Sequence, residues 1–406
     1  MTDNDRAIVG LAMTGHGLVH TYELSIPIFM TVWMAELGLS EAVLGGLVGG
    51  GYLLFGAGAL PGGVLADRWG ARRLIAAALA GMGASFGLLG LASGPWTIGG
   101  ALLLWGAAAS VYHPAGLALI STGVTQRGRG LAWHGIAGNV GIAGGPLATA
   151  LLLLVLDWQA VATVLALPAL GASIWALQVS IDERAAEAPE AAAPAPPDGL
   201  RALLRQSGRL FTVGFTAVFG AAALSGLYYR GVLTFLPDLL TPLVALDLPL
   251  NVDAGRYVYA GLLAVGILGQ YVGGRLTDRV RTERGLAGAF VGLALVAVFF
   301  LPVAGLGTAG LLIASVVLGF ALFVIQPLYQ ATVAEYSPPG ARGLSYGFTY
   351  LAVFGVGALG AALSGALLQA AGPSLLFGAL AGVATGGAVL GGWLAMRPSP
   401  STAPTP

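Results

Sequence analysis

The sequence predicts an all-α polytopic membrane protein with twelve transmembrane helices in two pseudo-symmetric six-helix bundles. The first observation is composition, because 57% of the 406 residues are hydrophobic and only 9% are charged. A soluble protein carries roughly 25% charged residues, so this chain has too few charges to solvate a protein surface in water. The second observation is the spacing of those charges along the chain, and the third is an internal repeat.

Long gaps between the charges mark the spans, because a helix that crosses the hydrocarbon needs about 20 residues with few ionisable groups. Three gaps, 74–126, 285–334 and 343–396, are long enough for two helices each, and each contains a turn signal of glycine or proline. Together the gaps predict ten helices. The full set of uncharged stretches is 42–66, 74–126, 130–156, 158–181, 257–274, 285–334 and 343–396.

Two further apolar segments complete the predicted twelve helices. Residues 7–35 are interrupted by Glu23, and residues 210–240 are interrupted by Arg230. So many spans leave no room for a sizeable soluble domain, and in lipid every backbone polar group has to be bonded within its own helix. The fold is therefore predicted to be a helical bundle throughout.

The arginines determine the predicted orientation, since short cytoplasmic loops carry an excess of positive charge. When the helices alternate in direction, all of the 18 basic residues fall on one side except Arg256, which falls on the other, and Arg230, which lies within a span. We therefore expect both termini in the cytoplasm and the protein in the inner (plasma) membrane of a prokaryotic cell. A net charge of zero gives no reason to expect nucleic acid as a partner.

The predicted domains are an N-terminal six-helix bundle over residues 1–181 and a C-terminal six-helix bundle over residues 209–397. Between them, residues 182–208 interleave acidic residues with alanine and proline, which is typical of a flexible linker, and we expect this linker in the cytoplasm. The last residues, 398–406, are a Pro/Ser/Thr tail that is predicted to be disordered.

The two halves repeat each other in sequence. The segment RGLAW that begins at Arg129 matches the segment RGLSY that begins at Arg342, an offset of 213 residues. At the same offset, His113 followed by proline matches Gln326 followed by proline. A duplicated six-helix unit produces such correspondences, and parallel repeats about a central cavity are the architecture of one large group of transporters.

A motif after the second predicted helix carries a family resemblance. Residues 63–73 read GVLADRWGARR, which resembles the signature of the major facilitator superfamily, with Ala71 standing where a basic residue is usual. A degraded copy, GRLTDR, stands at residues 274–279. The resemblance covers essentially the whole chain and implies the fold of that superfamily and a loop that latches one conformation; the alternative is that its arginines only set the topology. The implied latch residues are Gly63, Asp67, Arg68, Gly70, Arg72, Arg73, Asp278 and Arg279.

A narrower resemblance is to the fosmidomycin-resistance type of efflux protein. It is carried by the segments GHGLVH at residues 15–20, YHP at 112–114 and GNVGIAGGP at 138–146. The last segment is also similar to the fifth-helix motif of drug–proton antiporters, so the resemblance implies antiport. The chain departs from the family at His20, which replaces the expected aspartate.

Ionisable residues inside a span are costly, so they usually face the interior of the bundle and mark a pathway. His16, His20 and Glu23 are spaced i, i+4 and i+7, which places all three on one face of the first helix. A carboxylate one turn from an imidazole can share or pass a proton, so this face is predicted to be the strip for proton coupling and substrate contact. The alternative is that Glu23 stays wet at the outer mouth and that backbone carbonyls satisfy the histidines.

Further candidates lie in the fourth and fifth predicted helices. His113 precedes a mid-helix proline, which frees a backbone carbonyl and permits a kink, so it is predicted either to line the cavity or to bond that carbonyl. His134 lies nearer the cytoplasmic end of the fifth helix and is either a cavity residue or an interfacial one. Asn139, further in, is the better candidate for a deep contact.

The second half carries one basic residue within a span, Arg230. A guanidinium offers a planar fork that suits a carboxylate or a phosphonate, and Tyr229 can add a hydroxyl. The alternative is that Arg230 snorkels to the outer surface. Gln326 and Gln330 are four residues apart, hence on one helical face, and are predicted to be the counterpart of the His113 wall.

These observations predict a secondary active transporter that works by alternating access. The main hypothesis is proton-coupled efflux, by antiport, of a small polar or anionic organic compound or drug. The nearest alternative is a proton symporter for uptake of an organic acid or other nutrient, and the remote one is an intramembrane enzyme, for which the sequence has no HExxH or comparable ligand spacing. We expect no enzymatic activity, no cofactor, no metal, no nucleic-acid partner and a monomer.

Overall fold

The chain forms two compact helical units. Contacts between Cα atoms divide it into a first unit, Met1–Ala193, and a second unit, Pro194–Pro406. Within the described residues the secondary structure is helical, without strands. The computed structural model of the protein describes residues 1–186, 205, 207–244, 253–338 and 342–398. Much of the predicted linker and nearly all of the predicted tail lie outside these described residues. The positions concerned are 187–204 and 206 in the linker and 399–406 in the tail.

The first unit is built from helices that run one after another with short connections. Two pairs act as single membrane-length elements: α2 and the start of α3, which meet at 41°, and α5 with α6, which together span Pro95–Gly123. The helices are α1 (Asp3–Leu37), α2 (Glu41–Ala57), α3 (Ala59–Trp69), α4 (Ala71–Leu89), α5 (Pro95–Ser110), α6 (Tyr112–Gly123), α7 (Arg127–Leu152) and α8 (Trp158–Gln178).

The second unit repeats this plan with a different ending. Its last helices run on from one another, and the final helix breaks at Ala371 and Gly372, where the φ of Gly372 is +72°. The helices are α9 (Val213–Leu233), α10 (Leu236–Leu240), a 3₁₀ helix (Thr241–Leu243), α11 (Ala254–Thr277), α12 (Thr282–Ala304), α13 (Thr308–Tyr336), α14 (Arg342–Tyr350), a π-helix (Leu351–Val356) and α15 (Leu359–Ala395).

Among the described residues, eight helical elements are long and apolar enough to cross a membrane, or nine when the bent pair α2–α3 is one span. One of them, Leu344–Ala395, has 52 residues and breaks at Gly372, so it has the length of two crossings. α1 and α9 are not among them, because polar and charged side chains, including Glu23 and Arg230, interrupt their apolar sequences. With these added, the architecture is the predicted bundle of twelve helices, six in each unit.

α1 is anchored at its N-terminus by a buried carboxylate. Asp5 accepts hydrogen bonds from the N–H and the hydroxyl of Thr125, at 3.1 and 2.6 Å, which tie the start of α1 to the turn before α7. Thr2 caps the helix by accepting the N–H of Asp5 at 3.0 Å. Burial by itself raises the pKa of Asp5, but the hydrogen bonds from Thr125 and Thr2 outweigh it and hold the pKa below its ordinary value.

α1 and α7 pack closely because glycines on α7 let the two backbones approach. A Cβ on Gly141 would collide with the backbone of Gly17 on α1. Small residues serve this purpose in membranes, where no hydrophobic force drives one helix against another. A Cβ on Gly138 would meet the ring of His16, so this glycine leaves the space in which that ring lies. The close approach therefore positions the polar face of α1.

The predicted latch motif, residues 63–73, lies mainly in helices and not in the expected loop. Gly63 is within α3, α4 begins at Ala71, and Gly70 joins the two helices with a φ of +85°. Only glycine adopts such a φ without strain, which accounts for Gly70. The prediction of a loop was wrong because the residues from Ala59 onward continue as a helix after the bend.

A residue of the predicted linker caps α4. Glu183 accepts the N–H groups of Ala71 and Arg72, at 2.8 and 3.4 Å, and a carboxylate is favoured at a helix N-terminus. The Arg72 guanidinium donates to the carbonyl of Val179 at 2.7 Å. The described start of the linker therefore packs on the first unit. Of the other latch candidates, Arg68 and Arg73 are exposed, Asp278 and Arg279 are exposed at the end of α11, and the Asp67 side chain lies outside the described part of the chain.

Candidate functional site

All four histidines of the protein lie in one cluster within the first unit. His16 and His20 come from α1, His113 from α6 and His134 from α7. The rings of His16 and His134 stack with their centroids 3.8 Å apart, and the ring of His113 meets His16 and His20 edge-on at 5.2 and 5.4 Å. Residues up to 118 positions apart in sequence therefore form one polar site, which α1, α6 and α7 build together.

A chain of hydrogen bonds runs along one face of α1. The Nδ1 of His16 lies 2.7 Å from the backbone oxygen of His134. The Nε2 of His16 lies 3.1 Å from the Nε2 of His20, and the Nδ1 of His20 lies 2.5 Å from the Oε2 of Glu23. The three side chains that the helical spacing placed on one face are thus in direct contact, and we call them the His–Glu chain.

The carboxylate at the end of this chain is buried. Glu23 is 1% exposed and His20 is 9% exposed. The alternative hypothesis, in which Glu23 stays in water at the outer mouth, is therefore wrong for this structure. A buried carboxylate is costly unless it is paired or protonated, and the hydrogen bond to His20 offsets part of that cost.

Two tyrosines support the cluster, and sequence reasoning did not single them out as site residues. Tyr112 on α6 donates its hydroxyl hydrogen to the carbonyl of Ala12, and its oxygen lies 3.3 Å from the Nε2 of His134. Tyr52 on α2 donates to the backbone carbonyl of Glu23 at 3.1 Å. A buried tyrosine usually finds a partner for its hydroxyl, so a tyrosine in the middle of a predicted span was the available signal.

The imidazole nitrogens could also be considered as ligands for a cation. One nitrogen from each of His16, His20 and His113 lies within 4.8 Å of the other two. Nitrogens that share one Zn²⁺ at about 2.1 Å can be no more than about 4.2 Å apart. The Nε2 atoms of His16 and His20 bond each other directly, so these two atoms would have to move apart before both could face one cation.

Asn139 lies on α7, half-buried, five residues beyond His134. It follows Gly138, the residue that leaves room for the His16 ring. Its side-chain role stays a prediction.

The second unit places the buried cation Arg230 among aromatic rings. Arg230 on α9 is 2% exposed, so its guanidinium has not snorkelled to outer water. The guanidinium carbon lies 5.7 Å from the ring centres of both Tyr229 and Phe354. Phe354 belongs to the π-helix and stacks on Tyr350 with centroids 5.7 Å apart. Phe354 was missed, although two aromatic residues four positions apart in a span were visible in the sequence.

The predicted glutamine face also gains a partner in the second unit. The side-chain amide of Gln270 on α11 donates to the side-chain oxygen of Gln326 on α13 at 2.8 Å. Gln326 is half-buried, whereas Gln330, one turn on, is exposed. The sequence analysis did not single out Gln270. The available sign was a polar amide side chain within the uncharged stretch 257–274.

Two repeated helical units of membrane-length helices, with buried ionisable residues inside the spans, define a polytopic membrane transport protein. The profile of the Major Facilitator Superfamily matches residues 11–361. The chain belongs to this superfamily, as the sequence motif predicted.

Solved structures of transporters share this fold over nearly the whole chain. A bacterial homologue of the human lysosomal transporter Spinster, in an inward-facing and unoccupied conformation, matches with a TM-score of 0.75 and 16% identity, covering 98% of this chain and 96% of that one. The nucleoside transporter NupG matches with a TM-score of 0.75 and 15% identity, covering 96% and 99%. A D-xylose–proton symporter matches with a TM-score of 0.72 and 15% identity, covering 98% and 99%. At such identities the likeness shows the fold alone.

One curated relative matches part of the chain more strongly in sequence. The puromycin resistance protein pur8 of Streptomyces alboniger is 37% identical over 127 residues, which are 30% of this chain and 25% of that protein. The matched region therefore spans about a quarter of the relative's length.

Proposed function

We propose that the protein is a proton-coupled secondary active transporter that exports a small polar or anionic organic compound or drug by antiport. The observation that carries the proposal is the buried His–Glu chain in the first unit. It joins a carboxylate to two imidazoles in direct hydrogen bonds, 2.5 and 3.1 Å long, inside a membrane span. Buried ionisable groups of this kind mark proton relays in transporters.

The chemistry of the chain suits coupling. A negative charge on Glu23 is costly in a buried site, and a proton taken from water removes that cost. Loss of the proton restores the charge and favours a conformation in which water or another cation reaches the carboxylate. A site whose two protonation states prefer two conformations links proton movement to alternating access.

Substrate contact is proposed for both units, each by itself. In the first unit, His113, His134 and Asn139 offer polar edges next to the His–Glu chain. In the second unit, Arg230 offers a buried positive charge with the Tyr229 ring beside it. The guanidinium suits a carboxylate or phosphonate, and the Tyr229 hydroxyl is a further donor. Further polar atoms come from Gln326 and Gln330.

Export is preferred over uptake on two grounds. The matched relative is a resistance protein, and the three segments at residues 15–20, 112–114 and 138–146 resemble the fosmidomycin-resistance type of efflux protein. Proton symport for uptake of a nutrient is the alternative, because a secondary transporter can move its substrate in either direction, depending on the gradients of proton and substrate. Family membership weighs against an intramembrane enzyme.

The proposal includes a cellular setting. The protein acts as a monomer in the inner membrane of a prokaryotic cell, with both termini in the cytoplasm. The motif at residues 63–73 acts as the latch that holds one conformation, and the copy that ends at Asp278 and Arg279 acts in the same way in the second half. The arginine distribution along the sequence supports this orientation.

The proposal is tested in liposomes that contain the purified protein and a pH-sensitive dye. Puromycin, fosmidomycin and a set of small organic anions are added in turn, and dye fluorescence reports proton movement that accompanies the entry of each probe. We expect proton movement opposite to the transported probe, its loss in Glu23→Gln, and wild-type behaviour in Glu36→Gln, an exposed glutamate on the same helix. Probe flux without proton movement would remove the coupling, and proton movement in the same direction as the probe would establish symport.

A further inference from the structure

We propose that the histidine cluster of the first unit binds one divalent transition-metal cation of the Zn²⁺ class, with ring nitrogens of His16, His20 and His113 as its ligands. This inference goes beyond the proposed function and does not depend on it. It departs from the sequence-based expectation of no metal. The reason is that the third histidine lies on another helix, α6, and residue spacing along one segment does not reveal it.

The first ligand is held in a metal-binding orientation by a backbone carbonyl. The carbonyl of His134 can only accept a hydrogen bond, so the Nδ1 of His16, 2.7 Å away, carries the hydrogen. A neutral His16 then has its lone pair on Nε2. Its ring stacks on that of His134 at 3.8 Å and lies in the space that Gly138 leaves, so its orientation is set before any cation arrives.

The second ligand is held in the same way by a carboxylate. The Nδ1 of His20 lies 2.5 Å from the Oε2 of Glu23, and an ionised carboxylate accepts the hydrogen of this nitrogen. A neutral His20 then also has its lone pair on Nε2. In metal sites, a ligating histidine almost always gives its other ring N–H to a carboxylate, a backbone carbonyl or water. His16 and His20 have the carbonyl and the carboxylate in these places.

The distances between the ligand atoms are close to those of a four-coordinate zinc site. Nitrogens at about 2.1 Å from a tetrahedral Zn²⁺ lie about 3.4 Å from each other. The Nε2 atoms of His16 and His20 lie 3.1 Å apart, so they have to separate by about 0.3 Å. One nitrogen of His113 lies within 4.8 Å of a nitrogen of each of the other two, so it has to approach them. The torsion about the Cβ–Cγ bond of histidine is broad, and rotation about that bond moves the ring nitrogens inward.

The chemistry of the donors selects the class of cation. Imidazole nitrogen suits Zn²⁺, Cu²⁺, Ni²⁺ and Fe²⁺, whereas Mg²⁺ and Ca²⁺ prefer oxygen ligands. A cation in a buried site needs a compensating charge, and the carboxylate of Glu23 supplies one directly behind His20. His16 is partly exposed, so the ligands are not sealed inside the protein. With three protein ligands, a tetrahedral cation keeps its fourth position for water.

Occupancy of the site ties two helices together. His16 and His20 belong to α1 and His113 belongs to α6, so one cation bridges these helices. A ligand that binds the folded state in preference to the unfolded state raises the stability by an amount that grows with its concentration. We therefore expect zinc to raise the melting temperature of the protein and magnesium to leave it unchanged.

The experiment uses the full chain, purified in detergent without a histidine tag and freed of metal with a chelator. The protein has four histidines and no cysteine, and all four histidines lie in this cluster, so imidazole coordination can come only from here. Zinc alone is added, its binding is measured by calorimetry, and its ligands are counted by X-ray absorption at the zinc edge. We expect one zinc per chain with three imidazole nitrogens, and no binding of magnesium at the same concentration.

Three substitutions separate the ligands from their surroundings. His16→Ala removes a ligand, and Glu23→Gln removes the carboxylate behind His20. Changes at such supporting residues cost about 10–100-fold in metal affinity, so we expect a loss in that range for Glu23→Gln and a loss of more than about 100-fold for His16→Ala. His134→Gln is the matched control. It removes a ring outside the proposed ligand set and keeps the backbone carbonyl, so one zinc per chain should still bind.

Three results would overturn the inference. They are coordination of zinc by fewer than three imidazoles, equal zinc affinity in the wild type and His16→Ala, and equal binding of magnesium and zinc. If a variant fails to fold, the count of imidazoles in the wild type decides by itself. Transport is not measured in this experiment, so a failure of the proposed function leaves its result unchanged, and a failure of zinc binding leaves proton-coupled transport standing.

Discussion

The two units share a fold but use corresponding positions for different chemistry. The offset of 213 that relates Arg129 to Arg342 also pairs Gly17 with Arg230 and Gly141 with Phe354. In the first unit the two glycines bring α1 and α7 into backbone contact, beside the stacked histidines. In the second unit the corresponding side chains form a contact between a cation and an aromatic ring at 5.7 Å.

The backbone differs at the same place. α7 continues as an α-helix past Gly141, whereas the second unit has its π-helix, Leu351–Val356, at the corresponding position. Single π-turns occur frequently at functional sites. A duplicated scaffold can thus keep its helix order and change its buried chemistry at one pair of positions. In the proposed function, this difference divides proton handling from charge recognition.

The largest expected effect comes from closing the glycine contact of the first unit. Gly141→Leu would push a side chain into the backbone of Gly17, and overpacking a close contact costs typically 1–3 kcal/mol or more. We expect a marked loss of folded protein and of melting temperature, measured by size-exclusion chromatography and thermal unfolding in detergent. Gly144→Leu, on the same helix with open space around it, is the control. Equal behaviour of the two variants would contradict the close-approach account.

The second effect concerns the cation of the second unit. Arg230→Ala is expected to lower binding of an anionic probe by about tenfold or more, because a hydrogen bond to a charged group contributes about 1.5–3 kcal/mol. Arg230→Lys keeps the charge but loses the planar fork, so an intermediate loss is expected. Ligand-induced thermal shifts measure both, with Arg275→Ala, an exposed arginine, as the control. Unchanged binding in Arg230→Ala would remove the anion role.

The third effect is smaller and concerns the ring beside that cation. Phe354→Leu keeps an apolar side chain but removes the aromatic face, and a cation–aromatic contact contributes about 0.5–2 kcal/mol. We expect Phe354→Leu to lower the melting temperature modestly when Arg230 is present. In the Arg230→Ala background, we expect the same substitution to leave the melting temperature unchanged. The control is Phe299→Leu, a 56% exposed phenylalanine on α12. An equal fall with and without Arg230 would show that the ring only packs.

The smallest effect is a pH dependence at the anchor of α1. Because the pKa of Asp5 is lower in the folded protein than its ordinary value, its ionised form stabilises the fold at pH values above that ordinary value. This contribution is lost as the pH falls through the folded pKa. Asp5→Asn should therefore lower the melting temperature at neutral pH, and the difference from wild type should shrink in acid. A constant difference across that range would contradict the hydrogen-bonded carboxylate.

Much of the fold and one face of the site could be predicted from the sequence, because they depend on local spacing. Uncharged stretches mark helices one at a time, and His16, His20 and Glu23 meet because they lie on successive turns of one helix. The same argument placed Arg230 within a span, where it is buried.

What the sequence could not supply are contacts between distant segments. The meeting of His16 with His134 depends on how closely α1 and α7 pack, which glycine spacing alone does not determine. Phe354 reaches Arg230 from a π-helix that no periodicity predicted. Glu183 was assigned to a linker, and only the fold brings it to the start of α4.

The central claim is that the buried His–Glu chain couples a proton to transport, and the most direct measurement separates exchange from accumulation. Liposomes with wild type, Glu23→Gln or Glu36→Gln are loaded with a transported probe, and two rates are measured: exchange of probe at equal pH and net movement driven by a pH gradient. The account predicts that Glu23→Gln retains exchange and loses gradient-driven movement, while Glu36→Gln retains both. Gradient-driven movement at the wild-type rate in Glu23→Gln would contradict it.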